Sequence, residues 1–219
     1  MTLLDFARGP GLQAAWLILI AGTAWRIIGV LLLRQRLHLA EPRTGIAGQA
    51  RGAVTTVFTR FIPRRTFWPR IRVSVILSVV FHLGLVIIVL GGAPHIQVIQ
   101  QFTGLTWPGL PKGVIVLVSG LTLASMIVML LRRMFHPVMR LLSTADDYIS
   151  WVTVFLPLLS GILLSGETIA SYRTLLALHV LSVELLMIWF PFGKLMHAKL
   201  AFYSRAAMGI NFSRKGAAT

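Results

Sequence analysis

Five long apolar stretches follow one another along the chain, separated by shorter polar segments. They cover about residues 12–33, 73–93, 114–131, 149–166 and 174–193. A helix of about 20 apolar residues spans the hydrocarbon core of a bilayer, and each stretch is close to that length. The pattern predicts an all-α integral membrane protein, a five-helix bundle that forms a single transmembrane domain over residues 1–219.

Cations collect in alternate connecting segments. The basic loop at 34–72 and the segments after the third and fifth stretches carry seventeen of the 21 Lys and Arg residues, nine, three and five in turn. Because cytoplasmic loops of membrane proteins are enriched in Lys and Arg, this alternation predicts the topology. We expect the N-terminus outside and the C-terminus in the cytoplasm, in a multi-pass protein of a prokaryotic inner membrane.

The composition limits the classes of function. Only 12% of the residues are charged, mean hydropathy is +0.81 and the formal net charge is +15. A soluble domain carries about a quarter of charged residues, so a soluble globular enzyme is excluded. A nucleic-acid binder is excluded too, because these cations mark one side of a membrane protein. The stretch 45–69 suits lipid headgroups or a partner's docking surface, or it is a solvated basic loop.

The chain contains no cysteine. It therefore provides no disulfide, no zinc–thiolate site and no cysteine ligand for an iron–sulfur cluster. Any metal bound by this chain must be held by its histidines or its few carboxylates.

Four of the six histidines lie within or at the ends of two predicted helices: His82 and His95 in the second, His179 and His197 in the fifth. Paired histidines on facing membrane helices are typical axial ligands of haem iron. Because the two helices run in opposite directions, equal depth pairs His82 with His197 and His95 with His179. The sequence predicts two b-type haems. The alternative is that each ring is hydrogen-bonded to a neighbouring helix.

Helical spacing makes the prediction more specific. The 18 residues from His179 to His197 equal five whole turns, which predicts that both rings project from one helix face. The 13 residues from His82 to His95 do not match such a face in an ideal helix. Gly91, Gly92 and Pro94 precede His95, however, and we expect this run to break the helix and re-aim the ring.

The remaining histidines, His38 and His136, lie among arginines in loops, where we expect them to be solvated. The chain carries no catalytic triad, Gly-rich phosphate loop or paired catalytic carboxylates. Two haems at different depths imply electron transfer across the membrane, with a quinone as the membrane-soluble donor or acceptor.

Several segments resemble a known family. LALHVLSVELLMIWFPFGKLMHAKLAFYSR (Leu176–Arg205) resembles the last helix of respiratory nitrate reductase gamma subunits. It is more similar to the membrane cytochrome b subunits of heterodisulfide-reductase-like complexes, including those associated with dissimilatory sulfite reductase and adenylylsulfate reductase. FHLGLVIIVLGGAPHI (Phe81–Ile96) is similar to the paired-His helix of that branch, and Thr106–Gly113 and Leu130–Trp151 are similar to its loops.

The resemblance implies a diheme cytochrome b that exchanges electrons between quinone, such as menaquinone, and heterodisulfide-reductase-like iron–sulfur subunits on the cytoplasmic side. Such a subunit is not catalytic alone. In the nitrate reductase relatives a lysine at the outer start of helix three lies by the quinol site, and Lys112 occupies that place here. The alternative is an interfacial lysine that extends to water.

Two more charges fall inside the predicted helices, Arg26 in the first and Glu184 in the fifth. A structural ion pair between them is the first interpretation. The others are contact with a haem propionate and a place in a proton path.

Two rival functions stay open. One is the gamma subunit of a nitrate reductase-type molybdoenzyme, which would have the same membrane chemistry and another partner. The other is a haem-free membrane anchor or small transporter, in which the histidines bind a proton or a metal ion.

Overall fold

The computed structural model describes residues 2–33, 41–60, 62–63, 65–166 and 170–217, and these residues form helices and turns without a strand. The α-helices are α1 (Leu3–Phe6), α2 (Leu12–Leu31), α3 (Ile46–Thr59), α4 (Trp68–Gly91), α5 (Ala93–Thr103), α6 (Lys112–Phe135), α7 (Pro137–Leu142), α8 (Ala145–Gly166), α9 (Tyr172–Trp189) and α10 (His197–Arg214). A π-helical turn (Ala7–Gly11) joins α1 to α2, and 3-10 turns precede α4 (Arg65–Phe67) and α10 (Lys194–Met196).

Five helical stretches are long and apolar enough to cross a membrane: Leu3–Leu31, Arg65–Gly91, Lys112–Phe135, Ala145–Gly166 and Tyr172–Trp189. The prediction of an all-α protein with five spanning helices is confirmed, and the chain is a multi-pass membrane protein in contact with lipid. The side on which each terminus lies stays a prediction.

The first spanning stretch begins nine residues before the predicted start. Thr2 and Asp5 form a capping box, in which the Asp5 carboxylate accepts a hydrogen bond from the Thr2 amide at 2.8 Å. The chain then passes Gly9, whose backbone is non-helical, and Pro10 in a π-helical turn. Proline and glycine bend this helix without ending it, because the wider turn accommodates the missing amide.

The chain divides into two compact units. The first contains Met1–Leu19 and Ile71–Trp189, and the second contains Ile20–Arg70 and Phe190–Thr219. These units are clusters of contacts within one continuous chain, so the assignment of a single domain stays a prediction.

In the first unit, α8 packs between α6 and α9. The indole of Trp151 donates a hydrogen bond to the Met126 carbonyl at 2.9 Å, and the indole of Trp189 donates one to the Ser150 hydroxyl at 3.0 Å. These bonds link neighbouring helices through side chains that would otherwise lack a partner in lipid.

A cluster of polar side chains lies where α6 connects through α7 to α8. Arg133, in the last turn of α6, forms an ion pair with Asp147 at 3.1 Å and donates a hydrogen bond to the Ser143 hydroxyl at 3.0 Å. Asp147 in turn accepts the Thr144 amide at 2.9 Å. The cluster fixes the short connection from α6 through α7 to α8.

In the second unit, α3 and α10 pack closely through small residues. A Cβ on Gly52 would lie 2.8 Å from the Gly209 carbonyl oxygen, and Thr56 and Ser213 are buried at the same crossing. The Arg43 amide, just before α3, donates a hydrogen bond to the carbonyl of Arg214, the last residue of α10, at 2.9 Å. This bond holds the start of α3 next to the end of α10. Small residues permit this approach because the two backbones nearly touch.

The contact between α3 and α10 agrees with five membrane crossings. The loop after the first span and the segment after the fifth are separated by an even number of crossings, so they lie on the same membrane face. The two helices pack together, as that arrangement requires.

We predict that Gly209→Ala destabilises the α3–α10 contact. The added Cβ would lie 2.6 Å from the Gly52 carbonyl carbon, which is backbone and cannot rotate away. Overpacking of this kind costs about 1–3 kcal/mol, measurable by thermal unfolding in detergent. Gly29→Ala is the matched control, because a Cβ there meets nothing within 4 Å. Equal melting temperatures for the two variants would contradict the packing described here.

Candidate histidine site

A break between α4 and α5 positions His95. Helix α4 ends at Gly91, Gly92 adopts an extended conformation (φ −74°, ψ 120°), and α5 begins at Ala93 with Pro94 in its first turn. Proline is compatible with a first turn because the amide it lacks has no partner there. The prediction that this run breaks the helix before His95 is confirmed.

The carbonyl groups freed by the break find new donors. The Trp107 indole donates a hydrogen bond to the Leu90 carbonyl at 2.6 Å, and the Leu110 amide donates one to the Gly91 carbonyl at 2.8 Å. Both donors come from the connection between α5 and α6. This loop therefore satisfies the broken end of α4.

His95 also bonds to the end of α4, at the Ile88 carbonyl, which already accepts the Gly92 amide at 3.1 Å. Its Nδ1 donates a hydrogen bond to the Ile88 carbonyl, seven residues earlier, at 2.9 Å. Gly92 makes this possible, since a Cβ there would lie 2.8 Å from the Ile88 oxygen and 3.1 Å from the His95 Nδ1. The half-buried ring is thus held against the end of α4.

His179 is held by the neighbouring helix α8. The Ser160 hydroxyl lies 3.0 Å from its Nδ1 and donates its own proton to the Leu156 carbonyl at 2.7 Å. Ser160 must then accept the Nδ1 proton of His179. A Cβ on Gly161 would lie 3.3 Å from the ring, so this glycine gives the imidazole its room.

The structure brings His95 and His179 together within the first unit. Their ring centres are 6.2 Å apart and the ring planes are inclined by 34°. Both rings are half-buried, and each is fixed by an Nδ1 hydrogen bond to an oxygen of its own surroundings. The two imidazoles therefore face each other with fixed orientations.

His82 and His197 show the same hydrogen-bonding pattern in separate units. The Nδ1 of His82 donates to the Ser78 carbonyl at 2.7 Å, and the Nδ1 of His197 donates to the Lys194 carbonyl at 2.8 Å. Both side chains are exposed. The pairing of His82 with His197 stays a prediction.

The prediction that His179 and His197 project from one continuous helix is wrong. Helix α9 ends at Trp189, not near residue 193, and His197 begins α10 after a turn at 190–193. Pro191 causes the break, since it lacks an amide proton and disfavours helical geometry in the residue before it. Because the helix is interrupted, the five-turn spacing does not place the two rings on one helix face.

Glu184 is a buried carboxyl within the fifth span. It is 5% exposed, and its Oε1 has no hydrogen-bond partner among the described residues. It lies against the π-helical turn, where a Cβ on Gly11 would come within 2.7 Å of Oε2. Gly11 therefore leaves the space that the carboxyl occupies.

The other two predicted site residues are placed separately. Arg26 lies in α2, and its buried Nε has no hydrogen-bond partner in the part of the chain that the structure describes. Its pairing with Glu184 stays a prediction. Lys112 is the exposed first residue of α6, at one end of the third span as the sequence predicts. Its role at a quinone stays a prediction.

Of the two loop histidines, only His136 is among the described residues. His136 is exposed at the end of α6, and His38 lies outside the described residues. Among the described residues, no three His, Asp or Glu side chains come together as metal ligands. A bis-imidazole site needs only two.

Sequence reasoning missed Ser160, Gly161 and Trp107. Ser160 and Gly161 act on a histidine in another helix, and no spacing rule links them to it. Trp107 lies in a loop rich in Gly and Pro, TWPGLPKG. The one available signal is its indole N–H, a donor that can pair with a carbonyl at a broken helix end, as it does with Leu90.

Comparison with known proteins gives one relative and no family. The chain matches no protein-family model. A protein of Nitratidesulfovibrio vulgaris (strain Hildenborough), described simply as "Protein", is 29% identical over 217 residues, which cover 98% of this chain and 96% of that relative. No solved structure is a significant match.

We predict that Ser160→Ala destabilises the protein more than Ser165→Ala. Both serines lie on α8 and donate to a local carbonyl, but only Ser160 also accepts the His179 proton. An unpaired Nδ1–H group costs about 1–3 kcal/mol, so the S160A variant has the lower melting temperature in detergent. The same loss in both variants would show that the histidine bond adds nothing.

Proposed function

We propose that the chain is a diheme b-type cytochrome subunit that transfers electrons between a membrane quinone, such as menaquinone, and iron–sulfur subunits on the cytoplasmic side. The observation that supports it is the facing pair of His95 and His179, with ring centres 6.2 Å apart. The subunit is not catalytic alone, and it works within a redox complex of a prokaryotic inner membrane.

The separation of the rings fits a metal between them. Two imidazoles on opposite sides of one metal have ring centres about 6.3 Å apart, because metal–nitrogen bonds are about 2.0–2.1 Å and each nitrogen lies about 1.1 Å from its ring centre. The observed 6.2 Å agrees with that value. Direct contacts between aromatic rings also span about 4.5–7 Å, so the hydrogen bonds of the two rings must carry the proposal together with the distance.

The hydrogen bonds fit the same role. Each Nδ1–H donates to an oxygen, the Ile88 carbonyl for His95 and the Ser160 hydroxyl for His179. This choice of tautomer leaves the lone pair on Nε2, the nitrogen that would bind iron. Metal-binding histidines characteristically donate their other ring proton in this way, which also fixes the orientation of the ring.

The second haem is proposed for His82 and His197, the pair that the sequence predicts, and only their local hydrogen bonds support it. Each donates its Nδ1 proton to a carbonyl of its own helical turn, Ser78 for His82 and Lys194 for His197, and so keeps the lone pair on Nε2. A bound haem supplies one-electron redox chemistry. The histidines of this chain would hold and orient it, and apolar spans around them limit access of water.

The reaction partners follow from what this chain lacks. It has no cysteine, so any iron–sulfur cluster that exchanges electrons with it belongs to another subunit, which we propose is heterodisulfide-reductase-like. Lys112 is exposed at one end of α6, and we propose that its ammonium would donate a hydrogen bond to a quinone oxygen. Arg26 and Glu184 are proposed as propionate or proton-path groups.

We expect the purified protein to give a b-type α-band in its reduced-minus-oxidised spectrum, with two haems per chain by pyridine haemochrome. His95→Ala and His179→Ala should each remove the same haem, and the double variant should lose no more than either single one. His82→Ala and His197→Ala should remove the other haem. His136→Ala is the control and should retain both.

Each alternative has its own outcome in this experiment. A complete lack of haem would leave a membrane anchor or a small transporter. Two haems together with a copurified molybdenum subunit would identify a gamma subunit of the nitrate reductase type. Retention of both haems in the His95→Ala variant would show that another side chain is the ligand.

A further inference from the structure

Helix α3 lies between two membrane spans but is not a span itself. Its 14 residues, Ile46–Thr59, reach only about 21 Å, less than the ~30 Å hydrocarbon core of a bilayer. The chain leaves the first span at Leu31 and enters the second at Arg65. Because consecutive spans are joined on one membrane face, both ends of the segment that contains α3 lie at the same surface.

One face of α3 is fixed by its contact with α10. Gly52 and Thr56 are buried in this contact, and Gly52 approaches Gly209 and Ser213 of α10 so closely that no side chain would fit between them. The Thr44 hydroxyl adds a hydrogen bond to the Ser213 carbonyl at 3.1 Å. These contacts set the rotation of α3 about its own axis.

The opposite face of α3 is apolar and exposed. Val54 lies two residues from both Gly52 and Thr56, hence about 160° from each around the helix. Val54 is 60% exposed, Phe58 is 71% exposed and Ile46 is 86% exposed. Together with the exposed Ala50, these residues recur at every fourth position. We call Ile46, Ala50, Val54 and Phe58 the apolar stripe of α3.

The apolar stripe belongs to a strongly basic unit. Arg51 is exposed and follows Ala50 directly. The described residues of the second unit contain one carboxylate, Glu41, and eleven cations: Arg26, Arg43, Arg51, Arg60, Arg65, Arg70, Lys194, Lys199, Arg205, Arg214 and Lys215. An exposed apolar stripe in such a basic setting has the composition of a helix that lies in an anionic lipid surface.

We infer that α3 lies in the lipid–water interface, with its apolar stripe among the acyl chains and Arg51, beside the stripe, at anionic phospholipid headgroups. The spans on either side hold α3 at that surface, and α10 covers the face that is turned away from the lipid. The inference depends on neither haem nor quinone.

The chain offers a direct test, because it contains no cysteine. We would place a nitroxide spin label on single cysteines in Val54→Cys and Phe58→Cys, with Thr59→Cys as the matched control. Thr59 is also exposed but lies about 100° around the helix from Phe58. Each variant is reconstituted into bilayers of phosphatidylcholine with phosphatidylglycerol, and into phosphatidylcholine alone. Collision rates with oxygen and with a water-soluble nickel chelate report the depth of each label.

We expect labels at Val54 and Phe58 to be accessible to oxygen and several-fold less accessible to nickel than the label at Thr59 in the anionic bilayer. In phosphatidylcholine alone, nickel access at both stripe positions should rise. Equal nickel access at all three positions in the anionic bilayer would overturn the inference. Protection of the stripe only after addition of a soluble partner complex would also overturn it, and would assign the stripe to that protein.

Discussion

The constraint on which the candidate site depends is that a spanning helix can be interrupted only where each freed backbone group finds a partner. At the end of α4 two freed carbonyls meet this condition. The Leu90 carbonyl accepts the indole proton of Trp107, and the Gly91 carbonyl accepts the amide proton of Leu110. The Ile88 carbonyl keeps its helical donor, the Gly92 amide at 3.1 Å, and also accepts the ring proton of His95. The break that frees two carbonyls therefore also turns His95 back onto the end of α4.

Glycines make the other close contacts possible, and each does so against a particular group. Gly161 leaves room for the His179 ring, Gly11 for the Glu184 carboxyl, and Gly52 for the backbone of α10. Within a bilayer the hydrophobic effect does not drive helices together, so close packing and hydrogen bonds must hold them. The same small residues that permit the packing also decide where the polar side chains lie.

The sequence predicted the features that depend on local composition. Five apolar stretches gave the five spans, and the run before His95 gave the break in the second. The end of the fifth helix was placed wrongly because hydropathy stays high through Phe190 and Phe192, whereas Pro191 stops the helix for a reason unrelated to hydropathy. The Ser160 contact with His179 could not be predicted, since it depends on how α8 and α9 are rotated against each other.

The polar groups inside the spans differ in whether their polar atoms are hydrogen-bonded. The two histidines are, and one oxygen of Glu184 is not, among the described residues. His95 and His179 have their ring protons bound by oxygens, so their orientation is fixed, as a permanent ligand requires. Glu184 is as deeply buried as the core, yet its Oε1 has no partner among the described residues. Burial of a polar oxygen without a hydrogen bond costs free energy, and intramembrane carboxyls are usually kept for a function. Glu184 is thus a buried carboxyl without the fixed bonds that hold the two histidines, and the three hypotheses for it, an ion pair with Arg26, contact with a propionate and a place in a proton path, stay predictions.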